Sequence, residues 1–378
     1  MMCRSTGRLV AATAILALLA ATAEAKKKKK GKDGEEEEIT QTLEVIPDPP
    51  AAISVDTRRL SFYVTPLSAK GLLSQQTREA VKNLLRQVHG AHVVRIRGFV
   101  AGSGDLRRVQ SIVAEMFAER RLPLPVLSVI QVGALAAVGA QVVLEATALE
   151  KKEVNPNGLA WISGQGQTDK NPLANVMPMA QASVENLKKA VDAIGVERSG
   201  VLRVTCFLSG LDTASGVPGL VASTFPGTVF LHVQVQRASY VGVAECEAVA
   251  RLSKPGSSPV EMINPEALPK SPNFTQIAAV SAPKVILSGA QMQFGYQDSD
   301  ARLAFQRLTK VLDAAGTSVK HVVFASTYPL SPSLSEQVRR LRFDYFDPSR
   351  PPASTLLPFE GLPAMEAGFA IDVVAIPK

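Results

Sequence analysis

The feature that most limits what this chain can fold into is an internal pattern that occurs three times. Each occurrence reads as an apolar strand, a helix, a strand ending in an aromatic residue, a second helix and two closing strands. "EAVKNLLRQV" is followed by "HVVRIRGFVAG", "ASVENLKKAVDAIG" by "VLRVTCFLSG", and "LAFQRLTKVLDAAG" by "HVVFASTYPLS". Asn83, Asn186 and Arg307 take equivalent helix positions, and Phe99, Phe207 and Tyr328 equivalent strand positions. From the second unit to the third, both positions shift by the same interval. From the first to the second, the strand lags because the connection "GVERSG" is longer.

The helices carry the stripe expected of a packed face: Val184, Leu187, Lys188 and Val191 in one, Leu303, Leu308, Val311 and Leu312 in another. Gly195 and Gly316 follow their helices as C-terminal stops. Second helices are expected over Asp105–Arg120, around Thr213–Thr224 and over Ser333–Phe346. The closing strands include "PVLSVIQVG" with "QVVLEATAL", and "ASTLLPFEG" with "FAIDVVAI". Each unit is the size of a small α+β domain with helices on one sheet face. The economical way to cover the other faces is for the three sheets to face one another around a pseudo-threefold axis, helices outside, in a monomer.

The 378 residues, 46% of them hydrophobic, are ample for such a core. They divide into an export signal at 1–25, a charged tether at 26–50, and units at 51–150, 151–255 and 256–378. Arg4 and Arg8, the apolar run Leu9–Ala23 and the small residues "AEA" fit a cleaved signal, with an uncleaved anchor as the alternative. The expected location is therefore periplasmic or extracellular, without a stable membrane span after cleavage. "KKKKKGKDGEEEE" has the composition of a solvated segment. The net charge of +7 is spread too thinly to argue for nucleic acid. Cys206 and Cys246 sit among Leu, Val and Ala and read as buried free thiols, with a mutual bridge as the alternative.

"TVFLHVQVQRASYVGVAECEAVARL" (Thr228–Leu252) reads as a strand pair in which Phe230, His232 and Gln234 share one face and Glu245 and Glu247 another set of alternate positions. His232 near Glu245 reads either as a general-base pair or as a histidine settled at an inter-unit seam; the seam is preferred because no nucleophile or third group completes the pair. Ser163, Gly164 and Gln165 would offer a hydroxyl and backbone amides to an anion, or simply end a strand. Arg95 and Arg97 share a face and are expected to be paired or solvent-facing; Glu247 and Asp372 read as seam residues. His89, His92, His232 and His321 lack metal-ligand spacing, no CxxC, HExxH or phosphate loop is present, and no metal or cofactor is expected.

The second unit's "WISGQGQ", "VENLKKAVDAIG", "VLRVTCFLSGLD" and "VAECEAVA", with "SPNFTQ", "VILSGAQ", "LDAAG" and "RPPAS" in the third, resemble the YjgF/RidA family, also called Rid or endoribonuclease L-PSP. The first unit matches more weakly, through its helix, "HVVRIRGFVAG" and "VLEATAL". The resemblance implies chorismate-mutase-like units, normally three separate chains, with ligand clefts between neighbours. It implies hydrolysis of reactive enamines and imines to 2-keto acids, with an arginine before the penultimate strand holding the substrate carboxylate and a glutamate on the last strand positioning water. The arginine slots here hold Leu127, Phe230 and Ala353, with Arg350 upstream of the last. The glutamate is matched by Glu245 alone, against Val143 and Ala370, and the small residue after the arginine by Val129, His232 and Thr355. The expected function is binding of a small metabolite or partner at an inter-unit cleft, through Ser163, Gly164, Gln165, Phe230 and Gln234, without catalysis. The alternative is an imine deaminase working from the second unit through Glu245 and His232. An RNase role finds no basic groove with interleaved aromatics.

Overall fold

The computed structural model describes residues 46–378. The export signal expected at 1–25 and the charged block at 26–38 lie outside them.

After β1 (Ala52–Asp56), the first sheet and its helices run β2 (Leu60–Val64), α1 (Leu73–Gln87), β3 (His92–Ala101), α2 (Leu106–Ala118), β4 (Val126–Val132), β5 (Ala134–Leu135) and β6 (Val142–Leu149). The second set is β7 (Leu159–Ile162), β8 (Gln167–Asp169), α3 (Val176–Ala193), β9 (Val201–Leu208), α4 (Val217–Thr224), β10 (Val229–Gln234) and β11 (Gly242–Arg251). After β12 (Val260–Ile263) and β13 (Ile277–Val280), the third set is β14 (Lys284–Ser288), β15 (Gln291–Phe294), α5 (Asp298–Ala314), β16 (Val322–Pro329), α6 (Pro332–Leu341), β17 (Ala353–Leu356) and β18 (Ala367–Ala375).

One strand order recurs: β2-β6-β3-β4, β7-β11-β9-β10 and β14-β18-β16-β17. In each, the last two strands named are parallel and the other pairs antiparallel. The sheets also exchange segments. β1 pairs with β14, β13 carries β12 onto β7, and β5 pairs with β10. The start of the expected first unit therefore extends the third sheet, and the start of the expected third unit extends the second.

Each sheet packs its helices on an apolar core of its own, as Val184, Leu187 and Val191 of α3 do against Cys206 and Ala248. Lys188 of that helix points outward to Glu185, 2.7 Å away. Gly195 and Gly316 end α3 and α5 at φ +62° and +81°, a conformation that costs glycine little. Two further apolar clusters draw on all three sheets. One holds Val94, Val249, Phe324 and Val374; the other holds Phe99, Phe207 and Tyr328, the equivalent aromatics.

Between those clusters lies a buried ionic layer. Register places Glu145 opposite Arg97, Glu247 opposite Thr205 and Asp372 opposite Ser326, so the three acids hold equivalent positions on the last strands. Arg97 donates to Glu145 at 2.8 Å and to Glu247 at 2.7 Å, and Arg203 donates to the same two carboxylates at 2.9 Å each. Arg95 pairs with Asp372, which also accepts from Ser128 at 2.7 Å and Tyr328 at 3.0 Å. Thr355 donates to Glu247 at 2.6 Å. Three guanidiniums thus meet three carboxylates, each drawing partners from another sheet, which offsets the cost of burying them. Burial alone would raise the Glu145 pKa, but Arg203 and Arg97 hold it down at about 2. Arg95 and Arg97 are paired, as one reading of the sequence had it, but face the centre and not solvent.

Cys206 and Cys246 are joined in a disulfide, against the preferred expectation of free thiols. They are direct cross-strand partners with Cα atoms 4.0 Å apart. The Cys246 N–H donates to Ser183 and its carbonyl accepts from Gln165, so the backbones at this pair do not bond each other and the side chains can meet.

Candidate ligand cleft

The structure separates His232 from Glu245. β10 and β11 are not hairpin partners, because β9 runs between them, parallel to one and antiparallel to the other. Across those strands His232, Cys206 and Cys246 are aligned, and so are Val233, Phe207 and Glu245. The first set faces α3 and the second faces the centre. His232 stacks on Phe230 at 5.3 Å, and Phe230 packs against the core beneath the helices. Burial lowers the His232 pKa. Gln234 donates to the carbonyls of Ser209 and Gln236 at 3.0 and 3.1 Å. These three side chains form no wall with Glu245.

The Ser163–Gln165 turn is a seam between sheets. The Ser163 hydroxyl donates to the Thr275 carbonyl at 2.6 Å and accepts from the Ser354 N–H at 2.8 Å. The Gly164 N–H donates to the Ser354 carbonyl at 3.2 Å, and the Gln165 N–H to the Cys246 carbonyl at 3.0 Å. The Gln165 amide donates to Gln276 at 2.8 Å. These groups hold β7 against β17; their donors are already spent and are not offered to an anion.

Glu245 leaves the turn on the other side. A Cβ on Gly164 would collide with its carboxyl group, and one on Gly166 would come within 2.8 Å, so both glycines make room for it. The group opens into a cavity of about 240 Å³, where Gly164, Gly166 and Glu245 face Asn273, Phe274, Arg339, Arg342, Ser354 and Leu356. The cavity therefore lies between the second and third sheets. Among the described residues nothing donates to the Glu245 carboxyl. Burial, with the nearby Glu247 charge, raises its pKa to about 8 against a smaller opposing pull from Arg339. At neutral pH it is mostly protonated.

Arg342, just after α6, is the cation that the sequence reading missed. It is 3% exposed, and among the described residues its Nε has no partner and its one polar side-chain contact is Ser354 Oγ, at 3.5 Å. Its guanidinium lies 5.7 Å from the ring centre of Phe346. Burial, and then the Arg339 charge, lower its pKa to about 10, so it stays charged at neutral pH. Arg339 pairs with Glu336 on its own helix and lines the same cavity. The cavity thus holds two guanidiniums and a neutral carboxyl group. Such a site suits a small anion, and a planar guanidinium suits a carboxylate. A protonated Glu245 can give a hydrogen bond or a proton to what is bound.

Register also moves the arginine slot of the third unit by one residue. Leu127 pairs with Ile96, Phe230 with Val204 and Ser354 with Ala325, so Ser354, not Ala353, is equivalent to Phe230. Leu356, not Thr355, is then equivalent to His232. None of the three slots holds arginine. Arg350 is exposed and does not line the cavity. Arg342 was legible as a basic residue in a second helix, but no motif marked it, because it reaches the cleft from a different element.

No family profile matches the sequence, and no curated protein does. Solved structures do. A Rid-family protein of unknown function from Yersinia pestis is 18% identical, matching 32% of this chain and 99% of its own, at a TM-score of 0.26. A YjgF-family protein from Neisseria meningitidis is 14% identical over 29% of this chain and 91% of its own, at 0.24. RidA from an Antarctic Psychrobacter is 16% identical over 24% and 80%, at 0.22. The chain is similar to structures of the YjgF/RidA family, each matching a quarter to a third of its length.

Proposed function

We propose that this chain is a single-chain counterpart of a RidA-like trimer that binds a small carboxylate in the one cleft between its second and third units. The observation that carries this reading is Arg342, buried and charged on the wall of that cavity, with no anionic partner among the described residues. Leaving a guanidinium in that state costs stability unless something else pairs with it. The recurring strand order and the acids Glu145, Glu247 and Asp372 at equivalent central positions support the pseudo-trimer. Val143 and Ala370 stand where Glu245 does, which supports one site per chain and not three. The proposed protein is an exported monomer that binds a metabolite, not nucleic acid, and needs no cofactor.

A panel of small keto, amino and hydroxy acids tests this by thermal shift, since a ligand selective for the folded state raises its apparent stability. Stabilisation by keto or amino acids that disappears in Arg342→Gln is expected. No stabilisation by any carboxylate, or equal stabilisation of the variant, would overturn the reading.

One observation favours catalysis as a second reading: Glu245 shares the cavity with Arg342 and holds a proton near neutral pH. An imine bound by its carboxylate to Arg342 could take that proton on nitrogen while water adds to carbon and returns a proton to Glu245, giving a neutral carbinolamine; transfer of the carbinolamine hydroxyl proton to nitrogen through Glu245 then breaks the C–N bond and releases ammonia and the keto acid. Imine decay measured downstream of an amino-acid oxidase decides it. Acceleration abolished by Glu245→Gln selects catalysis; decay at the uncatalysed rate selects binding alone.

A further inference from the structure

The most exposed large apolar side chains of the described residues are not scattered. The six most exposed are Val138, Met365, Leu173, Leu72, Tyr240 and Tyr296, from 99% down to 62%. Leu72, Leu173 and Tyr296 precede α1, α3 and α5; Val138, Tyr240 and Met365 precede the last strands β6, β11 and β18. These are the same two connections in each unit. Within each sheet the strand directions put both connections at one end: β2, β3 and β4 run together and β6 returns, and the other two sheets repeat this. The Gln76 amide bonds the Gly139 carbonyl at 3.0 Å, and the Gly295 N–H bonds the Glu366 carbonyl at 3.1 Å, tying the paired loops together.

The three ends also meet one another. The Gly133 N–H donates to Gln234 at 2.8 Å and the Gln131 N–H to Gly361 at 2.9 Å, and the Gln236 amide donates to Phe359 at 3.0 Å. All six side chains therefore lie at the end where the three sheets meet. The chain enters the body at that same end. β1 runs antiparallel to β14 with Ala52 beside Ser288, and the Gly289 N–H bonds the Ala51 carbonyl at 2.9 Å. Forty-five residues precede Ile46, and they include the apolar run Leu9–Ala23.

We propose that this end docks on a lipid bilayer. Six separate loop tips from three units, Leu, Val and Met with two Tyr, suit a deformable apolar medium whose boundary favours tyrosine. Lys70, Lys170 and Arg237 on these loops are outnumbered by Glu360 and Glu366 on the same loops with Asp298 and Asp300 at the start of α5, so attraction to anionic lipid contributes little and insertion of apolar tips carries the binding.

Co-sedimentation of the full chain with phosphatidylcholine vesicles tests this, against a chain carrying Leu72→Ser, Val138→Ser, Leu173→Ser and Met365→Ser. Both contain Leu9–Ala23, so any difference belongs to the tips. Partition should fall about tenfold or more in the variant, and phosphatidylserine should change it by about twofold or less. Equal partition of the two chains would overturn the proposal, placing binding in the N-terminal segment. So would no binding of the unsubstituted chain, or self-association in sedimentation velocity that the four substitutions abolish without changing partition.

Discussion

Glu245→Gln makes the state of the cleft measurable. Glutamine keeps the shape of the side chain over Gly164 and Gly166 but cannot ionise. In the unfolded chain the carboxyl ionises near 4.5, whereas in the folded cleft burial holds the proton until about 8. A raised carboxyl pKa contributes stability that is fully present below the unfolded value and is lost as pH rises through the folded one. The gap between 4.5 and about 8, at about 1.36 kcal/mol per pH unit, sets a ceiling of roughly 5 kcal/mol on that loss. Glu245 is only half-buried on the cavity wall, so solvent screens its charge and roughly 2 kcal/mol is the expected loss. Urea unfolding of both proteins should therefore give matched stabilities near about pH 4 and an advantage of roughly 2 kcal/mol to the glutamine protein near about pH 9. A difference that does not change with pH would refute the reasoning. So would a growing advantage of the native protein with pH, which would mean an ionised Glu245 paired with Arg339.

Arg97→Met should destabilise the fold by about 3–5 kcal/mol in urea, because Glu145 and Glu247 lose a shared partner inside the ionic layer. Glu145, held at about 2, contributes stability present above its unfolded value and lost as pH falls toward about 2, so acid unfolding should begin below about pH 4 and shift upward in Arg203→Met. Reduction, or Cys206→Ala with Cys246→Ala, should cost about 2–4 kcal/mol, read from the urea midpoint. His232→Ala should leave carboxylate binding within about twofold of the native protein in thermal-shift titrations, since His232 stands on the other side of the sheet from the cavity; its effect should fall on stability alone, about 1 kcal/mol.

The individual helices and strands were legible because helix stripes and strand alternation are local signals. Val184, Leu187 and Val191 had to share a face wherever α3 packed, and Phe99, Phe207 and Tyr328 fell at equal depths on their strands. The site was less legible because it depends on which strand lies beside which. Reading β10 and β11 as neighbours put His232 with Glu245; inserting β9 between them put the two on opposite faces. A one-residue slip in the third unit exchanged Ser354 for Ala353, and in a strand that reverses the face. Arg95 and Arg97 looked like a wet surface by alternation alone, since their partners Asp372 and Glu247 lie far along the chain. Arg342 carries no local mark of its role, which arises only where the third unit's helix meets the second unit's glycine turn. The exchange of β1 and of β12–β13 between sheets likewise has no local signature.

One carboxylate site per chain, built by Arg342 beside Glu245, is what the cleft's geometry requires. Isothermal titration of the full chain with 2-oxobutyrate tests it most directly, repeated with Arg342→Gln. One site per chain, absent from the Arg342→Gln protein, is the predicted result. Three equivalent sites, no heat of binding, or an unchanged isotherm in the variant would contradict it.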